Sequence, residues 1–181
     1  MEQRVEFNTE LIKRYDVAGP RYTSYPTAVQ FMEGFDAEAY RRHTDASNNE
    51  LIPKPLSLYV HLPFCKSLCY YCGCMKKVTR HTHQADQYLE LLNREVEMQG
   101  QLFDHDRQVI QLHFGGGTPT FHTDDQLKTL MDVLGTHFSL SREDSREFSI
   151  EVDPRTVGTE RLAVLADMGF NRISLGIQDI H

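Results

Sequence analysis

The chain has 181 residues, 40% of them hydrophobic and 25% charged, a globular composition with enough apolar material for one sizeable core, which excludes a disordered chain. Its formal net charge of -7, with no run of lysines or arginines, excludes the electrostatic footprint of a nucleic-acid binder. The start, Met1-Glu2-Gln3-Arg4-Val5-Glu6, has no apolar signal region, and no stretch nears the roughly 18 apolar residues of a membrane helix, so a cytoplasmic protein with no membrane partner is expected.

Up to residue 55 the sequence is irregular and rich in turn formers: Gly19-Pro20, Tyr25-Pro26, Ser47-Asn48-Asn49, then Pro53 and Pro55. Residues 1–55 therefore read as an N-terminal extension and residues 56–181 as the folded domain. From Leu56 short apolar runs alternate with amphipathic stretches. Strands are expected at Leu56–Leu62, Val109–Phe114, Glu147–Val152 and Arg172–Ile177. Between the first two, Leu89, Leu92, Val96 and Phe103 form a helical stripe. A second stripe, Leu127, Leu130, Met131, Leu134 and Phe138, follows Thr123 as N-cap with Asp124 and Asp125 in the first turn. Thr159–Met168 is a third helix, with Gly169 placed to end it. There is no internal repeat and no low-complexity segment. The order β-α-β-α-β-α-β implies parallel strands with right-handed crossovers, hence an open α/β sheet or part of a barrel.

In such architectures sites form where the loops converge at the carboxyl ends of the strands. A cysteine cluster follows the first strand and Gly115-Gly116-Gly117-Thr118-Pro119 the second, while Glu151 and Asp153 close the third and Gln178 and Asp179 the fourth. One polar feature at every strand end argues for a single active face. Cys65, Cys69, Cys72 and Cys74, all the cysteines, lie within ten residues and would close only tiny disulfide loops, so they point to a metal. The spacing Cys65-x-x-x-Cys69-x-x-Cys72 supplies three thiolates from one loop; on a four-iron cubane that leaves one iron open to another molecule. The competing reading is structural zinc completed by Cys74, His81 or His83, but zinc sites usually combine two separated ligand pairs. The three glycines let backbone approach a ligand, and alone they would equally suit a tight strand-to-helix loop. Glu151 alternates with apolar neighbours, as a plain solvent-facing strand residue also would, and its place at the strand end favours function. His61 and His113 flank strand ends but carry less weight, because packed or solvent-facing histidines are commoner.

With these residues in place the chain resembles the radical S-adenosylmethionine superfamily, on Cys65, Cys69, Tyr71, Cys72 and the segment Gly115 to Pro119. It is most similar to the oxygen-independent coproporphyrinogen III oxidases, which share Gly19-Pro20-Arg21-Tyr22-Thr23-Ser24-Tyr25-Pro26, Tyr59-x-His61-x-Pro63-Phe64-Cys65 and Cys72-Gly73-Cys74. Haem-chaperone relatives generally lack Cys74 and the N-terminal extension. A haem-binding chaperone of the same fold is the alternative reading.

The resemblance implies a partial parallel (βα) barrel, a [4Fe-4S] cluster on Cys65, Cys69 and Cys72, and two molecules of S-adenosylmethionine. It implies that Tyr59, Tyr71, Gly116 and Glu151 contact the cluster-bound molecule and that Gly117, Thr118 and Gln178 contact the second. Cys74 resembles a residue needed for activity that is not bound to the cluster, and Arg21 is a candidate for a substrate carboxylate. The implied reaction is the anaerobic radical decarboxylation of two propionates of coproporphyrinogen III to vinyl groups, giving protoporphyrinogen IX. A reductant such as flavodoxin or ferredoxin and a monomeric state go with it. Related enzymes have six βα units and a C-terminal domain, whereas four strands are counted here. A fragment, truncated after about four strands and inactive alone, is the expectation.

Overall fold

A computed structural model describes residues 7–17 and 28–176; nothing structural is stated for the others, which include Arg21, Gln178 and Asp179. The chain divides into two compact units, Met1–Asp36 and Ala37–His181. The first contains α1 (Thr9–Tyr15), whose N-terminus is capped by Asn8 accepting from the Leu11 amide at 3.0 Å, and a single 3-10 turn at Ala28–Gln30.

The second unit opens with α2 (Ala37–Asn48), a helix in a stretch that reads as irregular. Its only buried residue is Thr44, so it has no apolar stripe to announce it. Polar ties hold it instead. Tyr40 donates to Gln99 Oε1 at 2.7 Å and Asn48 donates to Leu102 O at 2.9 Å. The buried Arg107 donates to Asn48 Oδ1 at 2.7 Å and, through Nε and Nη2, to Lys54 O.

The remaining elements are β1 (Leu56–Leu62), β2 (Phe64–Cys65), β3 (Lys77–Val78), α3 (His83–Gly100), β4 (Gln108–Gly116), α4 (Asp124–His137), β5 (Ser139–Leu140), β6 (Glu147–Val152), α5 (Thr159–Asp167) and β7 (Arg172–Leu175). The four expected strands are present, joined by the three expected helices. The main sheet is parallel in the order β1-β4-β6-β7, with β5 beside the start of β4, and the fold is α/β as anticipated. The pairs β2 with β3 and β5 with β4 leave no signal in the sequence, because two residues carry no readable periodicity.

Alternation along the strands divides the sheet into two unlike faces. Val60, Leu62, Leu112, Phe114, Phe148, Ile150 and Val152 face α3, α4 and α5 in one core with Leu89, Leu92, Val96, Leu127, Leu130, Leu134 and Leu165. The opposite face carries Tyr59 and His61 from β1, His113 from β4, and Ser149 and Glu151 from β6. Register shifts between Leu56 and Ser57, whose partners are Val109 and Gln111. This irregularity lets both Val109 and Leu112 be buried although their spacing breaks a period of two.

Helix α4 begins in a full capping box: Thr123 Oγ1 accepts from the Gln126 amide at 3.2 Å, and Gln126 Oε1 accepts from the Thr123 amide at 2.9 Å. Helix α5 ends before Gly169, whose φ of 101° is the left-handed conformation that glycine adopts without strain. A smaller cluster of Phe64, Ala85 and Phe121, with Tyr88 against it, pins β2 to the 3-10 turn Pro119–Phe121. Phe64 stacks on Phe121 at 5.5 Å and meets Tyr88 and His122 edge-on.

Loss of core methylenes in Ile150→Ala should cost about 3 kcal/mol, against about 1 kcal/mol for the cap deletion Thr123→Ala, as read from urea unfolding midpoints. Equal costs would show that the sheet–helix core is not the main source of stability.

His122 is 1% exposed, and neither ring nitrogen has a hydrogen-bond partner. Burial pushes its pKa from 6.5 down to about 4, outweighing Gln126 and Asp86, which favour the charged ring. In the window between these values the unfolded chain binds a proton that the folded chain refuses, so stability falls as pH drops through it. Between pH 7 and about pH 4.5 the wild type should lose about 2 kcal/mol more than His122→Leu. Parallel pH profiles of urea unfolding for the two proteins would contradict this.

Candidate active site

Parallel pairing sets His61 opposite Gly115 and Leu62 opposite Gly116, so β1 and β4 finish side by side and release their loops in the same direction. The two loops are then tied together. Gly117 N–H donates to Leu62 O at 2.9 Å, and Thr118 N–H donates to Phe64 O at 2.9 Å. Thr118 Oγ1 points at Cys65 Sγ, 3.6 Å away. A Cβ on Gly117 would lie 2.6 Å from the Pro63 carbonyl carbon and oxygen, and one on Gly116 would lie 2.6 Å from the His61 ring. Gly116 also has φ 113°, so both positions require glycine. The triple glycine, which in sequence suits either a ligand approach or a tight strand-to-helix loop, is here a close backbone seam between two strand ends.

The cysteine loop is anchored where it leaves the sheet and where it returns. Lys77 N–H donates to Pro63 O at 2.7 Å and Thr79 N–H donates to Cys65 O at 3.0 Å, forming the β2–β3 pair. Cys65 is buried, Cys69 and Cys72 are half-buried, Cys74 is exposed, and all four are free thiols. The backbone N–H of Cys74, then Lys76, holds the Cys72 thiol below its ordinary range, which favours the thiolate. Lys76 Nζ donates to Cys72 O at 3.1 Å. Among the described residues no three His, Cys, Asp or Glu side chains close into a metal-holding group. As a donor set, three unpaired thiols on one anchored loop fit an iron-sulfur cluster.

The polar face of the sheet lies beside this loop and bears two residues that sequence reasoning weighted too lightly. Tyr59 Oη lies 3.0 Å from His61 Nδ1, and His61 Nε2 lies 3.1 Å from Met75 O on the returning cysteine loop. Tyr59 stacks on His113 at 5.7 Å. His113 Nδ1 is 2.6 Å from Ser149 Oγ and its Nε2 is 3.4 Å from Glu151 Oε1. Glu151 Oε2 in turn accepts from the Gly116 amide at 3.2 Å. Both histidines are therefore half-buried and hydrogen-bonded. The signal that could have found them is the alternation Tyr59, His61 on β1 and Ser149, Glu151 on β6, polar residues at every second position, with His113 between the apolar Leu112 and Phe114 of β4.

Cys74 belongs electrostatically to this face. Partial burial, then Cys72 and then Glu151, push its thiol up, which keeps it protonated. Burial, then Glu151 and Cys74, likewise push the Tyr59 hydroxyl up. The structure thus brings Tyr59, Gly116, Glu151 and Cys74 together, and Cys65 with Gly117 and Thr118. Tyr71, on the cysteine loop, is 68% exposed. Asp153 at the end of β6 is taken up by Arg155, which donates to both its carboxylate oxygens and holds its pKa down. Gln178 and Arg21 lie outside the described residues. No helix among the described residues is long and apolar enough to cross a membrane.

Residues 59–181 match the family model described as the radical SAM superfamily. Oxygen-independent coproporphyrinogen III oxidase from Pseudomonas aeruginosa is 46% identical over 182 residues, covering 99% of this chain and 38% of the relative. A relative of the same name from Mannheimia haemolytica is 47% identical over 144 residues, covering 80% of this chain and 94% of the relative. Among solved structures, a coproporphyrinogen III oxidase from Escherichia coli, described as a radical SAM enzyme, matches with a TM-score of 0.81 at 45% identity, over 99% of this chain and 38% of that one. The chain spans 38% of the length of the Pseudomonas aeruginosa relative and of the Escherichia coli structure.

Proposed function

Because the chain belongs to the radical S-adenosylmethionine superfamily, and within it to the oxygen-independent coproporphyrinogen III oxidases, we propose that the protein carrying it converts two propionate side chains of coproporphyrinogen III to vinyl groups, giving protoporphyrinogen IX. The observation that carries this reading is the convergence of the cysteine loop, the glycine seam and Glu151 at one end of a parallel sheet. It occurs in a chain 45% identical, over 99% of its length, to a structure of that name. Each propionate loses one hydrogen atom, carbon dioxide and one electron. No observation favours the haem-chaperone reading.

The superfamily implies S-adenosylmethionine and a [4Fe-4S] cluster, which when bound supply the one-electron chemistry that removes hydrogen from substrate. Cys65, Cys69 and Cys72 would hold the cluster through three thiolates and leave one iron without a protein ligand. Cys65 starts from a position fixed by β2 and the phenylalanine cluster, while Cys69 and Cys72 follow on the loop between β2 and β3. Glu151 offers a carboxylate for the ammonium of the cluster-bound S-adenosylmethionine, with Tyr59, Tyr71 and Gly116 around it. A second S-adenosylmethionine would meet Gly117, Thr118 and Gln178. Cys74, protonated and beside Tyr59 and Glu151, is the candidate catalytic thiol that meets the porphyrinogen. A flavodoxin- or ferredoxin-like protein is the reductant that fits, and a monomer is the proposed state.

After anaerobic reconstitution the protein should hold about four irons with matching sulfide, and Cys65→Ser, Cys69→Ser or Cys72→Ser should each reduce this below about one. Full iron in any of the three variants would remove that residue from the ligand set.

Cys74→Ser should keep the same iron and sulfide while vinyl formation, followed by product chromatography, drops at least about tenfold, or about 1.4 kcal/mol in barrier. Loss of the cluster in this variant, or undiminished product, would show that Cys74 has another role.

A further inference from the structure

Among the polar residues of the sheet face, His113 has the most complete surroundings and no role in the reading above. Its ring is boxed in. Tyr59 stacks on one side with the two rings only 20° from parallel, and Ser149 Oγ is at Nδ1. A Cβ at Gly115 would come within 2.9 Å of Nε2 and 3.0 Å of the Tyr59 ring, so the glycine is what leaves the imidazole its place. The ring can turn little, and its two nitrogens keep their partners.

Chemistry then chooses the tautomer. An ionised carboxylate only accepts hydrogen bonds, so Nε2, which faces Glu151 Oε1, must carry the proton. Nδ1 is then an acceptor for the Ser149 hydroxyl, which has a second outlet at Leu112 O, 3.4 Å away. The other neutral tautomer would set an imidazole lone pair against a carboxylate oxygen. At 3.4 Å the contact with Glu151 steers the carboxylate rather than clamps it. With Oε1 drawn to the ring and Oε2 drawn to the Gly116 amide at 3.2 Å, the plane of the carboxylate is defined, and its 40% exposed side chain keeps lone pairs free towards the strand ends.

We propose that His113 is a positioning residue for the S-adenosylmethionine site, donating from Nε2 to Glu151 so that the carboxylate is steered towards the orientation in which it meets the ammonium group of the ligand. The inference rests on the reading of Glu151 as a contact of that ligand. His113 acts through Glu151 and touches no ligand itself. Ser149, whose hydroxyl can donate to Nδ1, accommodates the tautomer that Glu151 selects.

The test is anaerobic equilibrium binding of S-adenosylmethionine to the reconstituted protein, with iron content measured beside it. His113→Asn keeps a polar group near Ser149 but is too short to reach Glu151, whereas the His113→Gln amide can donate where Nε2 does. His113→Asn should weaken binding about tenfold with iron unchanged, and His113→Gln should stay within about threefold of the wild type. In a Glu151→Ala background, His113→Asn should have no further effect, because the two residues act as one unit. Rescue by Asn rather than Gln, equal loss in both, or additive losses in the double variant would overturn the proposal. Normal binding by Glu151→Ala would instead bring down the reading of Glu151, and the inference with it. Normal binding by His113→Asn beside impaired Glu151→Ala would overturn the role of His113 alone.

Discussion

The parallel ladder that sets Leu62 opposite Gly116 is the constraint on which the site depends. Because the strands run in the same direction, their carboxyl ends lie together, and the chain must leave both through neighbouring loops. One of those loops carries the thiols and the other carries the glycines. The seam of amides from Gly117 to Leu62 and from Thr118 to Phe64 extends the ladder past the formal end of the sheet. A side chain at Gly117 would drive Pro63 away and open the seam next to Cys65. The position of the first thiol is thus a consequence of backbone pairing rather than of any contact the thiol makes itself.

The same ladder explains why polar chemistry gathers on one face. With a period of two, any residue in register with a buried leucine turns its neighbours outward, so Leu62, Phe114, Ile150 and Val152 in the core place His61, His113 and Glu151 on the other side. A one-residue slip of β4 against β6 would bury Glu151 and expose Ile150. Core packing therefore holds the polar face in register. Within that face the network running from Ser149 through His113 and Glu151 to the Gly116 amide crosses β6 and β4, and Tyr59 stacked on His113 adds β1. An acidic group and a protonated thiol share this small area. Burial first, with Glu151 adding to it, raises both Cys74 and Tyr59, which are therefore poised to donate rather than accept protons at neutral pH.

Much of this was legible before any coordinates. Leu56–Leu62 and Glu147–Val152 were bounded by turn residues and alternated cleanly, and the structure places β1 and β6 on those spans. Thr123 announced α4 through its cap, and Gly169 announced the end of α5. Helix α2 gave no such signal, since its ties to Gln99, Leu102 and Arg107 are polar and distant in sequence. The pair β2–β3 was hidden for a different reason: it exists because the cysteine loop returns to its own start, and two residues per strand leave no pattern. His61 and His113 were visible as letters but not as a network, because their partners come from other strands or from the loop around Met75. The three thiols were legible as a spacing, while the anchoring of their loop by the β2–β3 pair is not contained in that spacing.

The central claim is that Cys65, Cys69 and Cys72 hold a four-iron cluster whose fourth iron is left for S-adenosylmethionine at the ends of β4 and β6. Mössbauer spectroscopy of protein reconstituted anaerobically with iron-57 tests it directly, since the irons are read separately. On addition of S-adenosylmethionine the account predicts that one iron in about four changes its parameters towards higher coordination while the other three keep theirs. A spectrum in which all four irons stay equivalent and do not respond would contradict it.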